Sequence, residues 1–324
     1  MQKICVNMEY LILILSLAGI VLGADFLVKG AVVVARKCRV SSFVIGAVIV
    51  GIGTSLPELV VSTVGAIGGN SEVAIGNVVG SNIFNVFAIL GLTALFFPIA
   101  VSRENMKFEI PFCIAVSILL MLLVYNFFIV GEPRLGRWDG AALLLVFTSF
   151  MWISLRRGKS SAAAGGESVE EENKSLWFAA FSILGGLAAL IVSSNFFVDE
   201  AVAIARKLGV SDAFISITLL ACGTSLPELA ASVTAAVKKD TDMALGNIIG
   251  SNIFNVTMIL GTASLITPLT TGKIGLIDYG AMILAAVLPM IFGIRGKITR
   301  FEGLLMLLCY AAYTWYIVTY VMAV

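Results

Sequence analysis

Histidine is absent from the 324 residues, and charge is scarce: Asp, Glu, Lys and Arg together make up 13%. Without imidazole the chain lacks the commonest general base, proton shuttle and transition-metal ligand. The five cysteines (Cys5, Cys38, Cys113, Cys222 and Cys309) are scattered, with no C-x-x-C pair. They read as free thiols, and neither a disulfide framework nor a thiolate metal site is expected. A net charge of +1 gives no electrostatic reason for a nucleic-acid partner. Catalytic signatures are missing too. Gly158-Lys159-Ser160 looks like the end of a phosphate loop, but the required first glycine would fall on Ile153. There is no nucleophile elbow, no HExxH and no soluble stretch of catalytic-domain size, so the chain is not expected to be an enzyme or to carry a cofactor.

Apolar residues are what the chain has in plenty. They make up 59% of it, and the mean hydropathy is +1.03. A soluble domain carries about 45–50% apolar and about 25% charged residues. Runs long enough to cross about 30 Å of hydrocarbon recur along nearly the whole length. Ten spans are predicted: about 9–33, 41–68, 72–98, 109–130, 137–155, 176–204, 212–237, 242–268, 275–294 and 301–322. The first run, 10–27, has no small-residue cleavage site, so it reads as a span and not as a secretory signal. The chain is therefore expected to be an all-α membrane protein partnered by the lipid bilayer.

One polar interruption stands out, 156–174, rich in Ala, Gly, Ser and Glu. It reads as a linker between five-helix halves, 1–155 and 175–324. Its glutamates (Glu167, Glu170, Glu171 and Glu172) lack the Asp, Asn and Gly spacing of a calcium loop and read as a solvated face. Lysines and arginines number fourteen in loops on the linker's side and six on the other, with Lys29 inside a span. The positive-inside rule then places the linker in the cytoplasm and both termini outside. Asp25 and Lys29, four apart near the cytoplasmic end of the first span, read as snorkelling anchors.

Sliding the sequence by 170 residues aligns Asp25 with Asn195, Glu58 with Glu228 and Gly91 with Gly261, without a gap. Residues 53–59 (GTSLPEL) equal 223–229, and 80–86 (GSNIFNV) equal 250–256. Five helices, an odd number, separate equivalent positions, so the second copy is expected to enter the bilayer from the opposite face. Such inverted repeats build secondary transporters with a site near the midplane.

Within each copy the polar residues fall into stripes. Pro57 lacks an amide hydrogen, which should distort the turn around Thr54. Glu58 follows directly, where a carboxylate costs about 2.5–3.5 kcal/mol on insertion scales. Thr54, Glu58 and Ser62 are spaced by four, as are Thr224, Glu228 and Ser232. The following helix of each half adds Asn77, Ser81 and Asn85, or Asn247, Ser251 and Asn255. Gly76 and Gly80, with Gly246 and Gly250, form small-xxx-small patterns that permit close backbone approach. Asn and Ser in membrane helices often act only as interhelical glue. Two identical glutamates with no lysine or arginine nearby in sequence are harder to explain that way.

Pooled, these groups form an all-oxygen site with two formal charges. Calcium takes six to eight oxygens at about 2.3–2.6 Å. Two bidentate glutamates supply four, and the carbonyls at Thr54 and Thr224 would make six. No sulfur or imidazole is in the stripes, which disfavours zinc, copper or iron. Two carboxylates balance one Ca2+, two Na+ or two H+. A third Na+ would leave the loaded site positive and the cycle electrogenic.

GTSLPE with GNVVGSNIFN, and again GTSLPE with GNIIGSNIFN, resemble the paired alpha repeats (here 51–91 and 221–261) of the cation/calcium exchanger superfamily, in particular its prokaryotic sodium/calcium exchangers. The resemblance implies that Glu58, Glu228 and the backbone at Thr54 and Thr224 bind Ca2+. It implies sodium sites formed with Ser55, Ser81, Ser225 and Ser251 and the backbone at Gly51 and Ala221, with Asn85 and Asn255 lining the centre. Relatives that depend on potassium carry aspartate at the place of Asn255, so the asparagine argues against potassium co-transport. The resemblance further implies that the first and sixth helices slide as a pair. The expectation is an antiporter in the plasma membrane that exchanges Na+ for Ca2+. The alternatives are a Ca2+/H+ antiporter, since the glutamates can take up protons, and a cation channel. A channel would usually repeat its ligands between chains; here the symmetry lies within one chain, which is compatible with a monomer.

Overall fold

The computed structural model describes residues 2–125, 133–161, 175–208 and 223–321. Almost all of them are helical. In chain order the helices are α1 (Gln2–Cys38), α2 (Ser42–Thr54), α3 (Leu56–Ile67), α4 (Ser71–Phe96), α5 (Arg103–Tyr125), α6 (Arg137–Ser161), α7 (Leu176–Lys207), α8 (Leu226–Val237), α9 (Thr241–Ile266), α10 (Leu276–Gly293) and α11 (Arg300–Thr319). Among the described residues, eight helices are long and apolar enough to cross a membrane, and α2 with α3 makes a ninth span bent by 47°. Its bend sits at Ser55 (φ −82°, ψ 10°), and Pro57 lies in the first turn of α3. The distortion predicted around Thr54 is therefore a full break, so Thr54 belongs to one helix and Glu58 to the next. The remaining predicted span, 212–237, is described only from 223 onward, where α8 forms its second part.

Long helices α1 and α7 pack antiparallel. Gly19 lies against Ser193, Gly23 against Gly186 and Leu190, and Gly30 against Ala179 and Ile183. A Cβ on Gly23 would come within 2.8 Å of the Leu190 amide nitrogen, and one on Gly186 within 2.6 Å of the Leu27 nitrogen. Small residues thus set this close approach, as expected where lipid supplies no hydrophobic drive. The same logic holds α2 against α9, where a Cβ on Gly246 would meet the Phe43 carbonyl oxygen at 2.2 Å. Its counterpart Gly76 is in ordinary contact with Ile274, 3.6 Å away.

Helices α4 and α9 lie at the centre and are buried over most of their length, while α6, α7 and α11 present large apolar side chains outward. Outward Leu, Ile, Phe and Trp are what a surface facing hydrocarbon requires. This is an all-α membrane protein, its only strands among the described residues being two-residue clips. Ile99–Ala100 (β1) pairs with Lys297–Ile298 (β4), and Arg134–Leu135 (β2) with Leu269–Thr270 (β3). Each clip joins loops that the charge count assigned to one side.

Helix α6 runs on to Ser161 and takes in the first six residues of the predicted linker. The Arg156 guanidinium folds back over Trp152 (3.9 Å) and Arg157 lies over Phe108 (4.6 Å), so these cations keep an apolar surface beneath them. Residues 162–174 lie outside the described residues. Asp25 pairs with Lys29 (2.6 Å), as its spacing suggested, and also with Lys238 (2.7 Å) at the end of α8. That second contact ties the two halves together.

Candidate cation site

The two copies of GTSLPE meet in the interior. Each places a serine, Ser55 or Ser225, at the N-terminus of a helix whose first turn carries the glutamate. Unpaired amides at that end favour negative charge. Glu58 is 1% exposed and Glu228 is wholly buried. Their partners are exchanged between halves. The Ser225 hydroxyl donates to Glu58 Oε1 at 2.9 Å, and the Ser55 hydroxyl donates to Glu228 Oε1 at 2.8 Å. Among the described residues neither carboxylate has a lysine or arginine partner, and Oε2 of each is buried without a hydrogen bond.

The next helix of each half braces these turns. Asn77 donates to the Glu58 carbonyl (3.3 Å) and the Ser62 hydroxyl (3.0 Å). Asn247 repeats this with the Glu228 carbonyl (3.1 Å) and Ser232 (2.8 Å). Ser62, Ser232, Asn77 and Asn247, which the sequence stripes grouped with the ligand candidates, are thus hydrogen-bonded to one another and to the glutamate backbone. Thr54 donates from Oγ1 to Asn247 Oδ1 and the Gly51 carbonyl, both at 3.3 Å. The Gly51 carbonyl also accepts from the Ser251 hydroxyl at 3.2 Å. Thr224 is half-buried and its Oγ1 has no partner among the described residues; Ser81 is buried close in sequence to the asparagines of α4. Ala221 lies outside the described residues.

Four asparagines close the centre. Asn82 and Asn252 each donate to the other's backbone carbonyl, at 3.1 and 3.2 Å. Asn85 donates to Asn252 Oδ1 (3.0 Å) and Asn255 to Asn82 Oδ1 (3.1 Å). The Oδ1 atoms of Asn85 and Asn255 are buried and have no partner among the described residues, like the glutamate Oε2 atoms. Widened π-helical turns begin at these residues, Asn85–Leu90 and Asn255–Ile259. The first packs against α8 and the second against α3, so each turn lies beside the glutamate-bearing helix of the other half. Asn82 and Asn252 stand inside the repeated GSNIFN segment, but the spacing of four that picked out their neighbours passed them over. Identity of the two segments was the signal that could have found them.

An all-helical membrane protein with buried carboxylates where two duplicated segments meet has the construction of a secondary transporter. The family described as sodium/calcium exchanger protein matches residues 8–156 and 178–319. The putative antiporter CaxA of Alkalimonas amylolytica is 37% identical over 319 residues, spanning 93% of this chain and 96% of its own. The sodium/calcium exchanger MaX1 of Methanosarcina acetivorans is 34% identical, over 95% of this chain and 98% of its own. The solved structure of the sodium-calcium exchanger NCX_Mj soaked with 10 mM Na+ and no Ca2+ superposes with a TM-score of 0.82 at 32% identity, covering 97% of this chain and 99% of that one. The chain belongs to the sodium/calcium exchanger family, a family of transporters and not of enzymes.

Proposed function

We propose that this chain exchanges Na+ for Ca2+ across the plasma membrane by alternating access at a midplane site centred on Glu58 and Glu228. The observation that carries the reading is the crossed pair: two buried carboxylates, each steadied by the other half's serine and each with an oxygen to spare. A carboxylate buried without a protein counter-charge takes up a cation or a proton, and exchange needs a site that can trade one load for another. The ligands for Ca2+ are the two carboxylates with the backbone at Thr54 and Thr224. Sodium uses the same carboxylates with Ser55, Ser81, Ser225, Ser251, Asn85, Asn255 and the backbone at Gly51 and Ala221. Because the two loads share the carboxylates, they exclude one another, which is the condition for exchange.

In this reading the chain has ten spans in two inverted halves, with residues 212–222 completing the span that contains α8. The antiparallel packing of α1 and α7, which are equivalent in the repeat, supports the inversion. Excess basic charge supports a cytoplasmic linker and external termini. The site is complete within one chain, so a monomer suffices. With an amide at Asn255 the site keeps two formal charges, which supports potassium independence.

The test is 45Ca2+ uptake into proteoliposomes loaded with Na+, at equal internal and external pH. Uptake that follows the Na+ gradient is expected. Uptake that needs a pH gradient instead would make the chain a Ca2+/H+ antiporter. Flux indifferent to both gradients would make it a channel.

A further inference from the structure

We infer that Asn82 and Asn252 are positioning residues that decide which end of the Asn255 and Asn85 amides faces the ions; the inference rests on the cation site proposed above. A carboxamide has nearly the same shape at both ends, so packing alone does not choose between its oxygen and its NH2. Against a cation the choice is decisive, because the oxygen is a ligand and the NH2 a repelling donor.

The choice is forced by two groups whose chemistry is not interchangeable. A backbone carbonyl only accepts. The Asn82 carbonyl faces the Asn252 side chain at 3.2 Å, so the atom placed there is Nδ2 and the other end of that amide is Oδ1. Asn85 meets that Oδ1 at 3.0 Å and must offer its own Nδ2. Its Oδ1 is thereby turned the other way, to where it is buried and unpartnered. The same sequence runs from the Asn252 carbonyl through Asn82 (3.1 Å) to Asn255 (3.1 Å) and leaves Asn255 Oδ1 unpartnered. All four asparagines are at most 3% exposed, so their amides lie within the protein and against these partners. Each half thus orients the amide of the other. Metal sites commonly depend on such outer partners, whose loss costs roughly 10–100-fold in affinity.

The experiment is Ca2+ titration calorimetry on purified protein, as a double-mutant cycle. Asn82→Ala leaves Asn255 free to turn over and is expected to weaken Ca2+ binding by roughly 10-fold or more. Asn255→Asp has oxygen at both ends, so turning over no longer matters. Because the ionised carboxylate of Asn255→Asp sets oxygen against Asn82 Oδ1, adding Asn82→Ala to it is expected to leave affinity within about threefold or to raise it, and not to weaken it. An equal loss in both backgrounds, or no loss in the first, would overturn the proposal. Asn252→Ala with Asn85→Asp repeats the cycle in the other half. If both alanine variants fail to fold, and still fail in the aspartate backgrounds, the asparagines belong to the scaffold and the proposal is wrong. Glu58→Gln separates the two levels: unaltered Ca2+ binding there would remove the site itself. Lost binding there with an additive asparagine cycle would remove only the orienting role.

Discussion

Replacing Glu58 with glutamine removes one negative charge and almost nothing else. The amide oxygen can still accept from the Ser225 hydroxyl, which now lies 2.9 Å from Oε1, and the backbone carbonyl still holds Asn77. The fold should therefore survive, while the site drops from two formal charges to one. Bound Ca2+ would then leave one positive charge uncompensated where Glu58 is 1% exposed. Removing one member of a buried charge pair costs about 3–5 kcal/mol. At 1.4 kcal/mol per decade that is a loss of roughly 10^2–10^3.5 in Ca2+ affinity. The assay is Na+-driven 45Ca2+ uptake over a range of external Ca2+, with insertion checked by size-exclusion chromatography. Uptake at micromolar Ca2+ should fall to background, and Glu228→Gln, whose oxygen keeps Ser55, should do the same. A variant that inserts and transports with near-normal apparent affinity would refute the two-carboxylate site.

Three further outcomes follow from other parts of the molecule. Lys238→Ala removes the contact between α8 and Asp25; such a partly exposed pair is worth at most about 1 kcal/mol. The thermal shift against wild type should therefore be small at low salt and vanish at 1 M salt, and a large, salt-insensitive loss would contradict this. Gly246→Ala forces a Cβ to within 2.2 Å of the Phe43 carbonyl, and overpacking of about 1–3 kcal/mol should lower the melting temperature and folded yield. An unchanged melting curve would show that α2 and α9 separate freely. Deleting residues 162–172 should leave exchange largely intact, since the linker reads as a connector; lost uptake in an inserted protein would give that segment a role.

The glutamates and the break beside them were legible because their signals are local. Proline removes one amide hydrogen wherever it stands, and a duplicated carboxylate in an apolar run announces its cost. What the sequence hid was partnership. Nothing in GTSLPE shows that Ser55 serves Glu228 and not Glu58, because that choice is made by how two halves dock. Nor does spacing reveal Asn82: it is off the stripe of Ser81 and Asn85, and a widened turn at Asn85 shifts the faces of α4. Stripes drawn for a regular helix also put Thr54 and Glu58 on one continuous surface, whereas they sit on opposite sides of a break. Helical structure also runs into the predicted linker, where Arg156 and Arg157 lie over Trp152 and Phe108, contacts that composition does not reveal.

The crossed serine bonds also set a schedule for synthesis. Ser225 is made 167 residues after the glutamate it steadies. At 5–20 residues per second that is roughly 8–33 s. For that time the first half sits in the translocation machinery or the bilayer with Glu58 lacking its serine, carrying an insertion cost of about 2.5–3.5 kcal/mol. Glu228 has no such wait, since Ser55 precedes it. Two chemically identical carboxylates therefore have unequal biographies. The earlier one makes the nascent first half a passenger that is committed to its bilayer position before it is comfortable there.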